Sequence, residues 1–340
     1  MKRAIFVILM VMLLMAGVAE AQPPTKTVKI RLNTGSTSSA SGAYIWSVAV
    51  ARAINKYAPG INVTVIESGG TVDNVRKIKE GIFDCGLADS WSTALEMYRG
   101  LENFAGNAWE PIRVFFVKEV SVSRTYVRAD SGIKTWSDLQ GKKIGSGQPG
   151  SGAAQRVMRF NELLGTGAIV VPVPLGDALR DLQSGRIDAV HKSGPADDVD
   201  AALLEVHLLR PVTVLGFSEQ EAAKINAKYP QYLIAETSAG AIKTLNKLGR
   251  LWEVYLISIA SVSSRMPEDV GYRMMKAVHE HWSEIAQAFP SSGLYHPIKE
   301  YVKLVPKGME VPFQAGVVRY AKEIGITIPA SLIPPEYKQR

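Results

Sequence analysis

Apolar residues are unevenly spread along the chain. Residues 4–18 form an unbroken apolar stretch behind the cations Lys2 and Arg3, and the stretch ends at Ala19-Glu20-Ala21. The positive start, the short core and the small-x-small exit predict a cleaved signal peptide over residues 1–21, because a retained anchor needs about 20 apolar residues to span the hydrocarbon. Gln22 is the expected first mature residue, and no cysteine follows the cleavage site to carry a lipid. Beyond the leader, short apolar runs alternate with segments of helical period. Residues 28–32, 61–66 and 83–88 read as strands. Residues 44–57 read as a helix with Ile45, Val48, Ala49 and Ala53 on its inner face, stopped by Ala58-Pro59-Gly60. A second helix is expected to start at an N-cap Thr71, to turn Val72, Val75 and Ile78 inward, and to end at Gly81. Alternation of this kind predicts an α/β fold with parallel strands.

The order then repeats. Ile30-Arg31-Leu32 leads through a small-residue loop, residues 33–42, into a helix; Lys143-Ile144 leads through the Gly/Ser loop 145–152 into another, which runs to about Leu164. Lys79 to Gly86 ends a helix, turns at glycine and enters a strand, and Gln183 to Val190 does the same. Two related lobes are therefore expected. The extended run 112–128 is long for one strand and is expected to pass from the first lobe into the second, with 252–262 returning. This gives a first lobe over residues 27–118, a second over 119–245, and a return to the first over 246–340 with C-terminal helices at 267–289 and 313–324.

Composition narrows the chemistry. The chain has 340 residues, 46% hydrophobic and 21% charged, which suits a globular protein of roughly two domains. Its formal charge of +7 falls to +6 without the leader, and the basic residues lack the clustered stripe that nucleic-acid binding requires. Cys85, the single cysteine, reads as a buried small hydrophobe. Neither a G-x-S-x-G elbow nor a P-loop occurs, and His279-Glu280-His281 puts its histidines on different helix faces. Residues 145–150 satisfy G-x-G-x-x-G, yet no acid follows at the next strand end to hold a ribose. No cofactor, metal or catalytic residue is expected. The Gly/Ser loops offer something else. Ser151 at a helix start, followed by free N–H groups, forms a site for a carboxylate or phosphate, and the loop 35–42 offers hydroxyls and backbone donors in the matching place.

Several ordered segments carry a family resemblance. They are Thr34-Gly35-Ser36-Thr37, Glu67 to Asn74 (ESGGTVDN), Val127 to Lys134 (VRADSGIK), Asp138 to Ile144 (DLQGKKI), Pro149-Gly150-Ser151-Gly152 and Gly185-Arg186-Ile187-Asp188-Ala189. With these the chain resembles the TAXI solute-binding proteins of TRAP (tripartite ATP-independent periplasmic) transporters over essentially the whole mature length. The resemblance implies a type II periplasmic-binding-protein fold, two lobes joined by a two-strand hinge around a ligand cleft. It also implies a periplasmic protein that delivers a small carboxylate, a glutamate-like amino acid or a 2-oxo/dicarboxylate, to the membrane subunits of a TRAP permease. The chain departs from the family pattern where Ser38-Ser39-Ala40 lengthen the first loop, where Ala153 replaces a threonine, and at His191-Lys192.

The expected ligand contacts are Ser36, Thr37, Ser38 and Tyr44 with Gly70, Thr71, Asn74 and Ser90 from the first lobe, and Ser146, Ser151, Gly152 and Ser193 from the second. Whether Asp89, His191 or Lys192 touches the ligand is open at this level. Two alternatives belong to other classes: an enzyme on the same scaffold (a deaminase or transferase) using Asp89 and His191, or a sensor partner that presents its ligand to a membrane receptor.

Overall fold

The computed structural model describes residues 30–338. The leader expected over residues 1–21 lies outside the described residues. Among the described residues, no helix is long and apolar enough to cross a membrane.

The first lobe opens with β1 (Ile30–Gly35), α1 (Gly42–Tyr57), β2 (Ile61–Ile66), α2 (Thr71–Glu80), β3 (Cys85–Ser90) and α3 (Trp91–Arg99). β1 lies between β2 and β3 and is parallel to both. The 17-residue β4 (Ile112–Arg128) then leaves the lobe. In the second lobe come β5 (Lys143–Gly145), α4 (Gly152–Leu164), β6 (Ile169–Val171), α5 (Leu175–Ser184) and β7 (Ala189–Pro195). They are followed by α6 (Ala201–Leu209), β8 (Val212–Leu215), α7 (Glu219–Lys228) and β9 (Leu233–Thr237). β5 lies between β6 and β7, parallel to both, in the arrangement β1 has with β2 and β3. The internal repeat in the sequence is thus a repeat of strand order. β10 (Leu251–Ser263) returns antiparallel to β4, and the chain closes with α8 (Glu268–Glu280), α9 (Trp282–Ala288), α10 (Lys299–Leu304) and α11 (Ala315–Glu323). The whole sheet runs β2-β1-β3-β10-β4-β7-β5-β6, with β8 on β4 and β9 on β10. This is the two-lobed periplasmic-binding-protein fold.

One apolar core gathers residues 32–117 and 257–332, and two others gather residues 126–256. On β10 the change of core falls between Leu256 and Ile257, beyond the boundary at residue 246 read from the sequence. Strand β9 explains the shift, since it pairs with Leu251–Tyr255 and holds that stretch of β10 in the second lobe.

Three local expectations need correction. Helix α1 turns Trp46, Val50, Ala53 and Ile54 inward and leaves Ile45 and Val48 exposed; the fully buried Trp46 ring, packed on Phe116, sets the rotation. The cap of α2 is Gly70, at φ 100°, and Thr71 is instead the first helical residue, its Oγ1 accepting from Ser90 N at 3.1 Å. The C-terminal helix expected over 267–289 breaks at His281 into α8 and α9. Gly81 ends α2 in the left-handed conformation, and Cys85 is fully buried.

Candidate functional site

In open α/β sheets ligands gather beyond the carboxyl ends of the parallel strands. Both lobes turn those ends toward one another here, and between them lies a cleft of about 190 Å³. That is below the roughly 300–1,000 Å³ of sites for drug-sized ligands, and it suits a small solute. The first lobe contributes Thr37, Ser38, Gly70, Thr71 and Ser90, and the second Ser151, Gly152 and Ser193.

The other four expected contacts do not line the cleft. Ser36 is buried beneath the first loop, its Oγ paired with Ser47 Oγ at 2.8 Å. Its carbonyl accepts from Asn74 Nδ2 at 2.8 Å and from Ser68 Oγ at 2.9 Å. Asn74, one turn into α2, is therefore used up in holding that loop to the end of β3, where its Nδ2 also donates to Asp89 Oδ1 at 2.9 Å. Ser146 is buried at the end of β5, and Tyr44 sits half-buried in the first turn of α1, away from the cavity.

The lobes touch across the cleft. Val72 N and Asp73 N, both in the first turn of α2, donate to the Gly150 carbonyl of the opposite lobe at 3.0 and 3.2 Å. The N-terminus of α2 is thereby occupied by protein. Contact is close enough to require glycine: a Cβ on Gly152 would come 2.6 Å from Thr71 Cγ2 and 2.9 Å from Arg156 Nη1. Ser151 caps α4 as expected, accepting from Ala154 N at 3.1 Å. Behind the cleft, Arg159 of α4 and Glu96 of α3 form a buried fork between the lobes, with Nη1–Oε1 at 2.6 Å and Nη2–Oε2 at 3.1 Å. Gln231 Nε2 adds a donor to Glu96 Oε1 at 3.0 Å.

Asp89, His191 and Lys192, left open by the sequence, line the cleft, together with Lys118, Glu119, Arg156 and Asp200, which the sequence did not single out. On β4, Lys118 is an extra residue in a β-bulge, since Ser258 pairs with Glu119 while Ile259 pairs with Val117. The bulge brings two successive side chains together, so Lys118 and Glu119 form an ion pair at 2.9 Å where a regular strand would send them to opposite faces. Lys118 Nζ also lies 3.8 Å from the centre of the Phe289 ring. On β7, Lys192 touches the Asp200 carboxylate. Burial and the nearby Lys118 and Arg124 pull the Lys192 ammonium down to about 7.

Arg156, on α4, is the exception among these cations. It is 4% exposed, and among the described residues no carboxylate lies within ion-pair distance of it. Its Nε donates to Ser123 Oγ at 2.8 Å and its Nη2 to Ser193 Oγ at 3.0 Å, while Nη1 faces Gly152 at the cleft wall. Burial lowers the guanidinium from its usual 12.5 to about 10, which leaves it a cation at neutral pH. Ser123 Oγ also bonds His191 Nε2 at 2.8 Å, and His191 Nδ1 bonds Thr125 Oγ1 at 2.8 Å. Burial, then the charge of Arg156, push His191 well below 6.5, so the ring is neutral and works as a prop for the arginine. A sequence signal for Arg156 existed: it falls four residues after Gly152, on the same helix face.

Asp89, at the end of β3, is the lone acid of the first-lobe wall. Its Oδ2 is buried without a hydrogen-bond partner, and burial pushes the carboxyl up to about 7.

The sequence model of the NMT1-like family matches residues 32–325. The chain belongs to the NMT1-like family. This NMT1-like chain is also similar to several solved structures. The GluR0 ligand-binding core from Nostoc punctiforme, in complex with L-glutamate, is 17% identical; the match covers 76% of this chain and 99% of that one, with a TM-score of 0.45. A putative L-cystine ABC transporter protein from Listeria monocytogenes is 12% identical over 78% of this chain and 97% of that one, with a TM-score of 0.48. An ancestral arginine-binding protein bound to arginine is 16% identical, covering 82% of this chain and 100% of that one, at a TM-score of 0.45.

Proposed function

We propose that this NMT1-like protein is a periplasmic solute-binding protein that closes its lobes on a small organic anion through a carboxylate and hands it to a membrane permease. The observation that carries the reading is Arg156. A buried guanidinium without a carboxylate is costly unless a ligand supplies one, and this one faces a solute-sized cleft between two lobes. Thr37, Ser38, Thr71, Ser90, Ser151 and Ser193 surround the anion with hydroxyl donors, and Gly70 and Gly152 let the two walls approach. Bound anion then favours the closed form by its differential affinity for the two states. Glutamate-like amino acids and 2-oxo or dicarboxylic acids are the compact candidates. The TAXI-like segments favour a TRAP permease as the recipient. The cleft works by binding alone in this reading, with His191 held neutral against Arg156. Thermal unfolding of the purified protein with glutamate, 2-oxoglutarate, succinate and octanoate tests the proposal. A rise in Tm with at least one carboxylate is expected, and no rise with any of them, at millimolar concentration, overturns it.

A further inference from the structure

A second and larger cavity, about 970 Å³, lies beside the cleft. Its wall shares Gly42, Pro195, Asp200 and Phe289 with the wall of the first, so the two adjoin across that line. Both lobes enclose it: Ile45 of α1 and Leu294 face it from one side, and Leu179 of α5 with Val206 and Leu209 of α6 from the other. Three of these are large apolar side chains left open to solvent, Ile45 at 55%, Leu209 at 73% and Leu294 at 70%. Exposed apolar groups gathered on one concave surface mark a binding region, and this one is continuous with a site that needs an anion.

We infer that the outer cavity receives the apolar tail of the same solute whose carboxylate meets Arg156, so that the ligand is an elongated monocarboxylic acid. The inference rests on the carboxylate reading above and favours a longer acid with one carboxylate over the compact dicarboxylates. Charge in the outer cavity points the same way. Both cations of its lining are paired, Lys243 with Asp197 at 2.6 Å and Arg180 with Asp177, and Asp200 is taken by Lys192. Asp198 accepts from Val199 N and Thr244 N, and Glu205 has no cation within ion-pair distance among the described residues. A second carboxylate on the far end of the ligand would meet these acids. Phe289 sits at the junction, its ring held between Gly42 and Lys118, where a Cβ on Gly42 would come within 2.9 Å of Cε2.

Titration calorimetry with straight-chain acids from propanoate to octanoate tests the inference. Each methylene that reaches the outer cavity should raise affinity about fourfold, the fold-change equivalent to ~0.8 kcal/mol. Octanedioate should bind at least tenfold more weakly than octanoate. In Ile45→Glu/Leu209→Glu, at two positions open to solvent, propanoate should bind as to the parent while the gain with length disappears. A series that binds with no gain in length, a diacid as tight as the monoacid, or a double variant that keeps the gain would each overturn the tail site and leave the carboxylate reading standing. Absence of binding by every acid of the series, together with glutamate, 2-oxoglutarate and succinate, would overturn both.

Discussion

Replacing Arg156 by methionine removes the charge and keeps much of the unbranched stem. In the free protein the guanidinium is buried without a carboxylate, and burial above all lowers it from 12.5 to about 10. At about 1.4 kcal/mol per pH unit this is roughly 3 kcal/mol. Methionine relieves that cost while giving up the bonds to Ser123 and Ser193, each worth about 1.5 kcal/mol, so the free variant should unfold within a few degrees of the parent. Binding behaves differently. A ligand carboxylate meeting the arginine recovers the same ~3 kcal/mol, so its loss should raise Kd a few hundredfold, within the range seen when one member of a buried charge pair is truncated. Calorimetry and thermal unfolding, with and without ligand, separate the two effects: an unchanged Tm when free, and a ligand-induced rise that vanishes. Arg156→Lys keeps a charge that cannot reach both serines, and should fall between the two. Wild-type affinity in Arg156→Met would refute the placement of the anion. A collapse of the free protein would instead show that the guanidinium is a structural part of the second lobe.

Two further predictions follow from the buried charges. Glu96→Gln leaves Arg159 with the Tyr232 hydroxyl and, as its one carboxylate, Glu102 Oε2 at 3.5 Å, and should loosen the contact between the lobes by about 3 kcal/mol; a lower Tm and a larger radius of gyration by small-angle scattering are expected, and an unchanged radius in the free protein would show that the pair does not hold the lobes together. Asp89 takes up a proton on folding between its usual 3.8 and about 7, so its contribution to stability declines as pH rises through that window and stays low above it. Asp89→Asn, which cannot ionise, should therefore match the parent in urea at pH 4 and exceed it at pH 8 by up to about 4 kcal/mol; an equal difference at both pH values would place the ionised carboxylate in a satisfied environment.

The alternation of apolar runs and the repeat of strand, Gly/Ser loop and helix were enough to read the α/β class and two related lobes, because both are local in the chain: side-chain period and turn chemistry decide them. Ser151 as a helix cap was legible for the same reason. Side-chain direction was not. Ile45 and Val48 share a plausible apolar face of α1, yet Trp46 fills the core and turns them outward. Ser36 and Asn74 belong to residue types that suit a ligand, but the fold spends them on each other. The charged part of the site depended on contacts between residues far apart in sequence. Lys118 reaches the cleft through a bulge set by its register against β10, and Arg159 meets Glu96 across 63 positions of chain. Arg156 stands out only once burial is known, since in the sequence it is one of 39 basic residues. The sequence by itself determined the lobes, their order and the loops that face each other. Tertiary packing decided which polar groups remained unsatisfied between them, because desolvation belongs to a place in the fold and no residue carries it alone.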